Sequence, residues 1–221
     1  MIIKTPEISS ELAEETGWHI GDGSMNYYNN QGKLRGIYQL RGHIEDDKEH
    51  YIKRITPLFK QLYDLDMSLR EMPKTRVFGF QIWNDELVKF KQGLGLPLGK
   101  KFNITIPKLF LTNEKLKIAI IRGIFDTDGC VYLEPKNNKL YPRMHIATIS
   151  QKLGDDLLKI LTDLGFRTTK YSQLSNKDFN RQRTYIISVR GTEMFEKFIK
   201  IIKPANPKHI RKYLSFKESF K

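Results

Sequence analysis

The apolar and polar positions of this chain follow two periods, and the same succession of periods occurs in each half. Apolar residues three and four apart predict amphipathic helices, and alternation of apolar and polar residues predicts strands with one buried face. The stretch between 65 and 75 shows neither period clearly. In the first half the predicted elements are a helix over 7–20, strands over 24–31 and 36–44, a helix over 46–65, a strand over 76–83 and a helix over 84–90.

The same order restarts after a Gly- and Pro-rich connection over 93–107. The second half contains a predicted helix over 113–126, strands over 130–135 and 141–150, a helix over 151–164, strands over 167–173 and 183–190, a helix over 192–202 capped by Thr192, and a last basic helix. Each half therefore reads α-β-β-α-β-β-α, although the first strand of the second hairpin is poorly marked in the first half, between 65 and 75. This order predicts an α/β fold of the α+β type, with antiparallel sheets in two pseudo-symmetric repeats. We place the first repeat at 1–108 and the second at 109–221.

One short stretch occurs twice, at the end of the first predicted helix of each half. Residues four apart share a helix face, so Gly17 and Gly21 form a pair of small residues. Gly123 and Thr127 form the matching pair. Small residues at this spacing allow two helix backbones to approach closely. A glycine in a helix costs about 1 kcal/mol relative to alanine, and at a single position it can simply be tolerated. Its occurrence at matching positions in both copies favours helix pairing instead. The two copies are Gly17-Trp18-His19-Ile20-Gly21-Asp22-Gly23 and Gly123-Ile124-Phe125-Asp126-Thr127-Asp128-Gly129.

Each copy ends in a carboxylate, Asp22 in the first and Asp128 in the second. If the two helices run side by side, these carboxylates meet at the C-terminal ends. Like charges repel there, and the negative end of each helix dipole adds to the repulsion. A hard divalent cation between the carboxylates removes this cost, and the terminal carbonyls of Gly21 and Thr127 are further candidate oxygen ligands. The sequence therefore predicts a Mg²⁺ site, which Mn²⁺ or Ca²⁺ can also occupy.

The charge of the chain narrows the class of partner. There are 38 Lys and Arg residues against 25 Asp and Glu, a net charge of +13. This excess favours a polyanion, nucleic acid before an anionic membrane, although a solvated basic surface explains the charge alone equally well. No apolar run approaches the roughly 18 residues of a membrane span, and the N-terminus lacks the apolar region of a signal peptide. We therefore expect an intracellular, cytoplasmic protein, and the single Cys130 excludes an internal disulfide.

The repeated stretch resembles the two motifs of the LAGLIDADG family of homing endonucleases. The second copy is a close match, and the first is looser, with Ile20 where the family pattern has an acid. The metal-binding acid of the family is a different one, at the place that Asp22 and Asp128 occupy here. The doubled order of elements also resembles the single-chain form of this family, so the resemblance covers nearly the whole chain.

This resemblance implies a monomer whose two saddle-shaped sheets lie in the major groove of double-stranded DNA, over a long, near-asymmetric target site. It also implies a scissile phosphate beside each motif carboxylate. Family members carry a lysine before an Ile-Pro element, which here indicates Lys101 or, as the alternative, Lys100. The internal repeat indicates Lys208 as the matching lysine of the second half. A lysine there would orient the attacking water or offset charge in the transition state, and plain phosphate contact is the alternative. Without splice-junction residues, a free-standing or intron-encoded form is expected.

Candidate DNA contacts lie on the predicted strands, where alternate residues share a face. Arginine suits bidentate contact with guanine and glutamine suits adenine. Exposed strand surface with generic phosphate binding is the alternative interpretation. The candidates are Arg35, Gln39, Arg41, Arg143, His145, Arg181, Arg183 and Arg190.

The leading hypothesis is a site-specific double-strand DNA endonuclease that hydrolyses phosphodiester bonds with a divalent metal. Its predicted catalytic residues are Asp22, Asp128, Lys101 and Lys208. An intron RNA maturase, or a non-cleaving DNA-binding regulator on the same fold, is the alternative, with intron RNA as a further partner in the first case. Both motif acids are present, which favours cleavage over the regulator, although a maturase can keep them. An unrelated basic RNA-binding protein explains the charge but not the repeat.

Overall fold

The computed structural model describes residues 2–174 and 182–220. The first half contains helix α1 (Ser10–Asp22), strands β1 (Gly23–Asn30) and β2 (Lys33–His43), the short helix α2 (Lys48–His50), a π-helical turn (Tyr51–Ile55), helix α3 (Thr56–Tyr63), strand β3 (Arg70–Met72), a 3₁₀ turn (Pro73–Thr75), strand β4 (Val77–Trp83) and helix α4 (Asp85–Gly93). After a 3₁₀ turn (Lys108–Leu111), the second half contains helix α5 (Glu114–Asp128), strands β5 (Gly129–Lys136) and β6 (Lys139–Thr148), helix α6 (Gln151–Asp163), strands β7 (Thr168–Leu174) and β8 (Arg183–Arg190), and helices α7 (Thr192–Ile202) and α8 (Pro207–Glu218).

Each half builds one four-stranded antiparallel sheet, and the two sheets have the same topology. The strand order is β1-β2-β4-β3 in the first sheet and β5-β6-β8-β7 in the second. The predicted fold class, two α-β-β-α-β-β-α repeats with antiparallel sheets, is confirmed, and α8 follows the second repeat. The division between residues 108 and 109 stays a prediction.

Local sequence signals start the two motif helices in the same way. The Ser9 hydroxyl and the Asn113 carboxamide each accept a hydrogen bond from the backbone N–H three residues on, at 3.2 and 3.0 Å. These bonds satisfy N–H groups that the first turn of a helix leaves without a partner. The cap predicted at Thr192 is wrong, because Gly191 occupies the N-cap and Thr192 is the first helical residue.

The helix predicted over 46–65 is interrupted by a π-helical turn. Within it, the Thr56 N–H bonds to the Tyr51 carbonyl, five residues back instead of four. The next residue, Pro57, has no N–H to offer the Lys53 carbonyl, so the regular hydrogen-bond ladder cannot continue through this point. A single turn with the wider period shifts the apolar pattern too little to be seen in the sequence, so the periodicity did not reveal the change.

One face of each sheet packs against its helices and forms a core. Aromatic rings fill the first core, where the Phe59 ring centroid lies 5.7 Å from Tyr38 and 5.2 Å from Phe80. In the second core the Phe125 and Phe198 centroids are 4.6 Å apart. Large buried side chains of this kind dominate core stability. None of the helices in the described ranges is long and apolar enough to cross a membrane.

The first core also contains an ion pair that is completely removed from solvent. The Lys91 ammonium contacts the Glu15 carboxylate, and both side chains have no exposed area. The Tyr63 hydroxyl donates to the same carboxylate at 2.8 Å. Because a buried charge is tolerated only with such partners, this pair ties α1 to α3 and α4.

Candidate active site

Helices α1 and α5 cross at two glycines. A Cβ added at Gly17 would lie 2.5 Å from the Ile120 carbonyl oxygen and 2.8 Å from the Gly123 Cα. Ordinary contacts between such atoms are about 3.5–4.0 Å, so the two backbones touch where side chains would otherwise separate them. One turn further on, a Cβ at Gly21 would collide with the Thr127 side chain. The structure thus places all four residues of the predicted helix interface at the crossing.

This crossing brings the two motif carboxylates together, because Asp22 is the last residue of α1 and Asp128 the last of α5. Across the interface, a Cβ at Gly21 would lie only 3.2 Å from the Asp128 Cγ. Burial, with Asp128 and Asp47 as nearby negative charges, raises the pKa of Asp22 to about 8. Burial likewise raises the pKa of Asp128 to about 6, against the opposing effect of nearby lysines. Two carboxylates that resist ionisation at helix C-termini make a site that a cation would stabilise.

The donor chemistry of the site fits a hard divalent cation. The buried Asp22 Oδ2 has no hydrogen-bond partner of normal geometry among the described residues, with the Tyr51 hydroxyl beside it. Within residues 2–174 and 182–220 no group of three or more His, Cys, Asp or Glu side chains could hold a metal. A cation held by the two motif carboxylates would take its other ligands from water or substrate oxygens, as is usual for Mg²⁺.

Lys101 lies at the C-terminal end of α1. Its Nζ donates to the carbonyl oxygens of Ile20, at 2.8 Å, and Gly21. A cation is favourable there because the end of a helix carries partial negative charge. Lys100, in contrast, is exposed, and its Nζ lies over the Phe102 ring at 5.5 Å from the centroid. The geometry favours Lys101 over Lys100 as the lysine of the first half.

Lys208 occupies the matching place at the end of α5. Its Nζ is 3.4 Å from the Thr127 carbonyl oxygen and 2.9 Å from Asp47 Oδ1. Each motif helix thus ends in an aspartate with a lysine beside its last carbonyls. Since the Gly21 and Thr127 carbonyls bond these lysines here, their role as metal ligands stays a prediction.

Three polar residues around Lys208 were not recognised from the sequence as part of the site. The Asn206 Nδ2 donates to Asp47 Oδ1 at 2.7 Å and to the Asp126 carbonyl oxygen at 2.8 Å. The Asp126 carboxylate accepts the backbone N–H groups of Ala205 and Asn206 at 3.0 and 3.1 Å. Burial raises the pKa of Asp126 to about 7, against those two hydrogen bonds. The acid at Asp126, absent from the first copy of the motif, was the available signal, whereas Asp47 resembled an ordinary acid at a helix start.

The first sheet presents a polar face on the side away from its helices. Arg35, Gln39 and Arg41 share this face, since the intervening residues Tyr38 and Leu40 are buried in the core. Gln39 pairs directly with Gln81 on β4, and the Arg41 Nη2 donates to the Gln81 Oε1 at 2.8 Å. The structure therefore brings the three predicted DNA contacts of the first half together.

The second sheet brings together only part of its predicted set. Arg143 lies opposite Arg190 in the register of β6 and β8, with His145 next on the same face. The Arg143 guanidinium also pairs with Glu134, at 2.8 Å from Nε to Oε2.

Two of the predicted arginines are not placed on this face. Arg183 shares the parity of Ile187 and Val189, which are buried against the helices. The odd separation from Arg190 puts Arg183 on the opposite side of the sheet, and its contact with DNA stays a prediction. Arg181 lies outside the described residues.

Two sheets of the same topology, with a carboxylate at the end of each of the two paired helices, define a two-repeat architecture built around the crossing of α1 and α5. Residues 115–203 match the family model of the LAGLIDADG-like domain. The resemblance to the LAGLIDADG family seen in the two motifs is confirmed, by the sequence match in the second repeat and by the fold of both repeats.

Two curated proteins of Methanocaldococcus jannaschii match nearly the whole chain. The replication factor C small subunit is 25% identical over a segment that covers 94% of this chain, and glutamine–fructose-6-phosphate aminotransferase is 24% identical over 90%. The chain spans only 11% and 16% of the lengths of these two proteins. The similarity therefore concerns one segment of each.

Solved structures of homing endonucleases share the fold. A structure of mesophilic variants of the homing endonuclease I-DmoI has a TM-score of 0.62 and 18% identity, covering 87% of this chain and 95% of that one. I-DmoI in complex with DNA and Ca has a TM-score of 0.61 and 17% identity, covering 87% and 88%. The LAGLIDADG meganuclease I-AabMI bound to uncleaved DNA has a TM-score of 0.51 and 15% identity, covering 88% and 85%. At these identities the similarity shows the fold alone.

Proposed function

We propose that this protein is a site-specific endonuclease that binds double-stranded DNA as a monomer and hydrolyses one phosphodiester bond in each strand. The observation that carries the proposal is the duplication of one catalytic arrangement. Asp22 and Asp128 end two helices that cross at their glycines, and Lys101 and Lys208 lie beside those two ends. Two copies of a hydrolytic arrangement in one chain suit the two strands of a duplex. The solved structures of DNA-bound relatives support the choice of partner.

The sheets supply binding and the helix ends supply chemistry. The faces that carry Arg35, Gln39 and Arg41 in one half, and Arg143 and Arg190 in the other, suit contact with base edges in the major groove. The net charge of +13 would supply affinity for the phosphates independently of sequence. Binding on two sheets would place a long duplex across the helix ends, so that recognition fixes which bonds are cut.

Asp22 and Asp128 would hold the divalent cation, proposed to be Mg²⁺, which supplies Lewis-acid stabilisation of charge on the phosphate. Lys101 and Lys208 have donor N–H groups beside the carboxylates, and each would donate to a non-bridging phosphate oxygen or orient the attacking water. Their positive charge would offset the negative charge that develops as the phosphorus–oxygen bond breaks. Water adds across that bond, so one product end carries a hydroxyl and the other a phosphate.

The test is cleavage of a plasmid that carries the uninterrupted insertion locus, in the presence of Mg²⁺. Wild-type protein is expected to linearise it, whereas Asp22→Asn and Asp128→Asn should not. Asp64→Asn, which makes the same change at a side chain 74% exposed, is the matched control and should cleave like wild type. Equal cleavage by wild type and both motif variants would refute the assignment.

A second function on the same fold is the intron RNA maturase. If wild-type protein leaves the plasmid intact but binds the intron RNA, and Asp22→Asn binds it equally well, the maturase replaces the endonuclease. The matched segments in two differently named proteins of one organism favour a segment that inserts at separate loci, which is why the endonuclease leads.

A further inference from the structure

Lys101 lies in the connection over 94–107, and Lys208 is the second residue of α8, just after the connection over 203–206. The two connections are held to the opposite repeat by different chemistry. Each repeat contributes one side chain that contacts the connection of the other repeat. It belongs to the residue just before the helix that follows the second strand. That residue is Asp47, before α2, in the first repeat and Ser150, before α6, in the second. One is a carboxylate and the other a hydroxyl, so the internal symmetry of the fold is broken at this point.

On the Lys208 side the contact is an ion pair with the lysine itself. The Asp47 side chain is only 7% exposed, and its Oδ1 lies 2.9 Å from the Lys208 Nζ, whose side chain is 22% exposed. The His43 N–H donates to Asp47 Oδ2 at 2.7 Å, and the Asn206 amide donates to Oδ1 at 2.7 Å. Three donors thus hold this carboxylate, and a pair so withdrawn from water is screened far less than a surface pair.

The backbone beside Lys208 is fixed as well. The buried Asp126 carboxylate accepts the N–H groups of Ala205 and Asn206, and Asn206 caps α8 through its bond to the Lys208 N–H at 3.1 Å. Ile20, the counterpart of Asp126 in the first repeat, has no acceptor side chain. The connection and the lysine of the second half are therefore locked through side-chain charge.

On the Lys101 side the contacts are to the backbone and away from the lysine. The Ser150 Oγ donates to the Ile104 carbonyl at 2.7 Å, and the Asp156 carboxylate accepts the Ile106 N–H at 3.0 Å. In the described ranges Lys101 forms no ion pair, and its Nζ bonds carbonyl oxygens at the end of α1. Among the described residues, the groups that bond this ammonium are the carbonyls at the end of a helix.

We propose that Asp47 is a positioning residue for Lys208 and that it makes the two halves of the catalytic centre unequal, so that the two DNA strands depend on different groups. The inference rests on the proposed endonuclease function for its consequence at the DNA, but the pairing itself is independent of cleavage. Asp47 aims the Lys208 ammonium at one scissile phosphate. Lys101 reaches the other without a carboxylate partner.

The first measurement needs no DNA. Wild-type protein and Asp47→Asn, both checked for folding by circular dichroism, are treated with an amine-acylating reagent, and the labelling of Lys208 and Lys101 is compared by peptide mass spectrometry. Lys208 labelling is expected to rise in Asp47→Asn while Lys101 labelling stays constant. Glu45→Gln, an acid-to-amide change in the same loop at a side chain 73% exposed, should change neither. Unchanged Lys208 labelling in Asp47→Asn would overturn the pairing.

The second measurement follows each strand of a labelled target duplex separately. Asp47→Asn should slow one strand by about 10- to 100-fold, the range expected when a catalytic group is misplaced, and leave the other within about twofold. The slowed strand must be the one that Lys208→Met slows, and nicked product should accumulate. Equal slowing of both strands would indicate a merely structural role and overturn the proposal.

Two further controls keep the outcomes distinct. If Asp47→Asn does not fold, Asp47→Ser places in the first repeat the residue that the second repeat already uses, and the same single-strand effect is expected. If wild-type protein cleaves no DNA, the endonuclease proposal fails, and the labelling result still decides whether Asp47 positions Lys208.

Discussion

Replacement of Gly17 by alanine tests the crossing on which the whole site depends. The added methyl group would sit 2.5 Å from the Ile120 carbonyl oxygen and 2.8 Å from the Gly123 Cα. Ordinary contacts are about 3.5 Å, so the helices must separate by about 1 Å. The neighbouring atoms belong to backbone, and no side chain can rotate away to relieve the contact.

The expected cost follows from two opposing effects. Overpacking of a close-packed interface costs about 1–3 kcal/mol, and a backbone-to-backbone clash belongs at the upper end of that range. Alanine gains about 1 kcal/mol over glycine in the interior of a helix. We therefore expect Gly17→Ala to lower the free energy of unfolding by about 2 kcal/mol. In a chain of this size, that loss corresponds to a Tm lower by about 4–8 °C.

The assay is thermal and urea denaturation of wild type, Gly17→Ala and the matched control Gly93→Ala. Gly93 ends helix α4, and a Cβ there would meet nothing within 4 Å. The same chemical change is therefore expected to be neutral or to stabilise slightly at Gly93. Cleavage by Gly17→Ala should fall by more than its unfolded fraction explains, because separation of the helices also separates Asp22 from Asp128.

An equal Tm for Gly17→Ala and Gly93→Ala would refute the clash expected at the crossing. Equal stability would mean that the helices accommodate a methyl group at the crossing. The close approach of the two backbones could not then be what places the carboxylates. Loss of stability at both positions would instead indicate a general effect of alanine, and the crossing would again lose its support.

The other predictions concern buried charge. The folded pKa of Asp22, about 8, exceeds its unfolded value, so the folded protein retains a proton that the unfolded chain has lost. Metal-free protein should therefore lose stability from pH 6 to 8, and Asp22 contributes at most about 1.4 kcal/mol of this loss per pH unit. In thermal melts with EDTA, the stability of Asp22→Asn should fall less steeply with pH than that of wild type. Parallel curves for the two proteins would contradict this expectation. Lys91→Met leaves Glu15 charged and unpaired in the core and should cost about 3–5 kcal/mol in urea denaturation. Adding Glu15→Gln should recover much of that loss, and a double variant no more stable than Lys91→Met would show that the charge is not the cause.

The sequence by itself determined most features that depend on neighbours within a few residues. Ser9 and Asn113 cap the motif helices because a side-chain oxygen reaches the N–H three residues on. The alternation along β2 and β6 follows from the two-residue period of a strand, and it placed Arg41 and Arg143 on solvent-facing sides of their sheets. The duplicated motif placed Asp22 and Asp128 together because each ends a helix with the same pair of small residues, and the two helices pair through those residues.

The tertiary structure alone decided which groups surround those carboxylates. Asp47 and Asn206 meet across most of the chain, and neither belongs to a motif or a periodic pattern. The choice of Lys101 over Lys100 depended on which side chain faces the end of α1, which the connecting loop sets and no local rule predicts. Local preferences determine helices, strands and caps, whereas the contacts of a loop side chain depend on how distant elements pack. The repeated glycines and aspartates could therefore be found in the sequence, and the unequal surroundings of the two lysines could not.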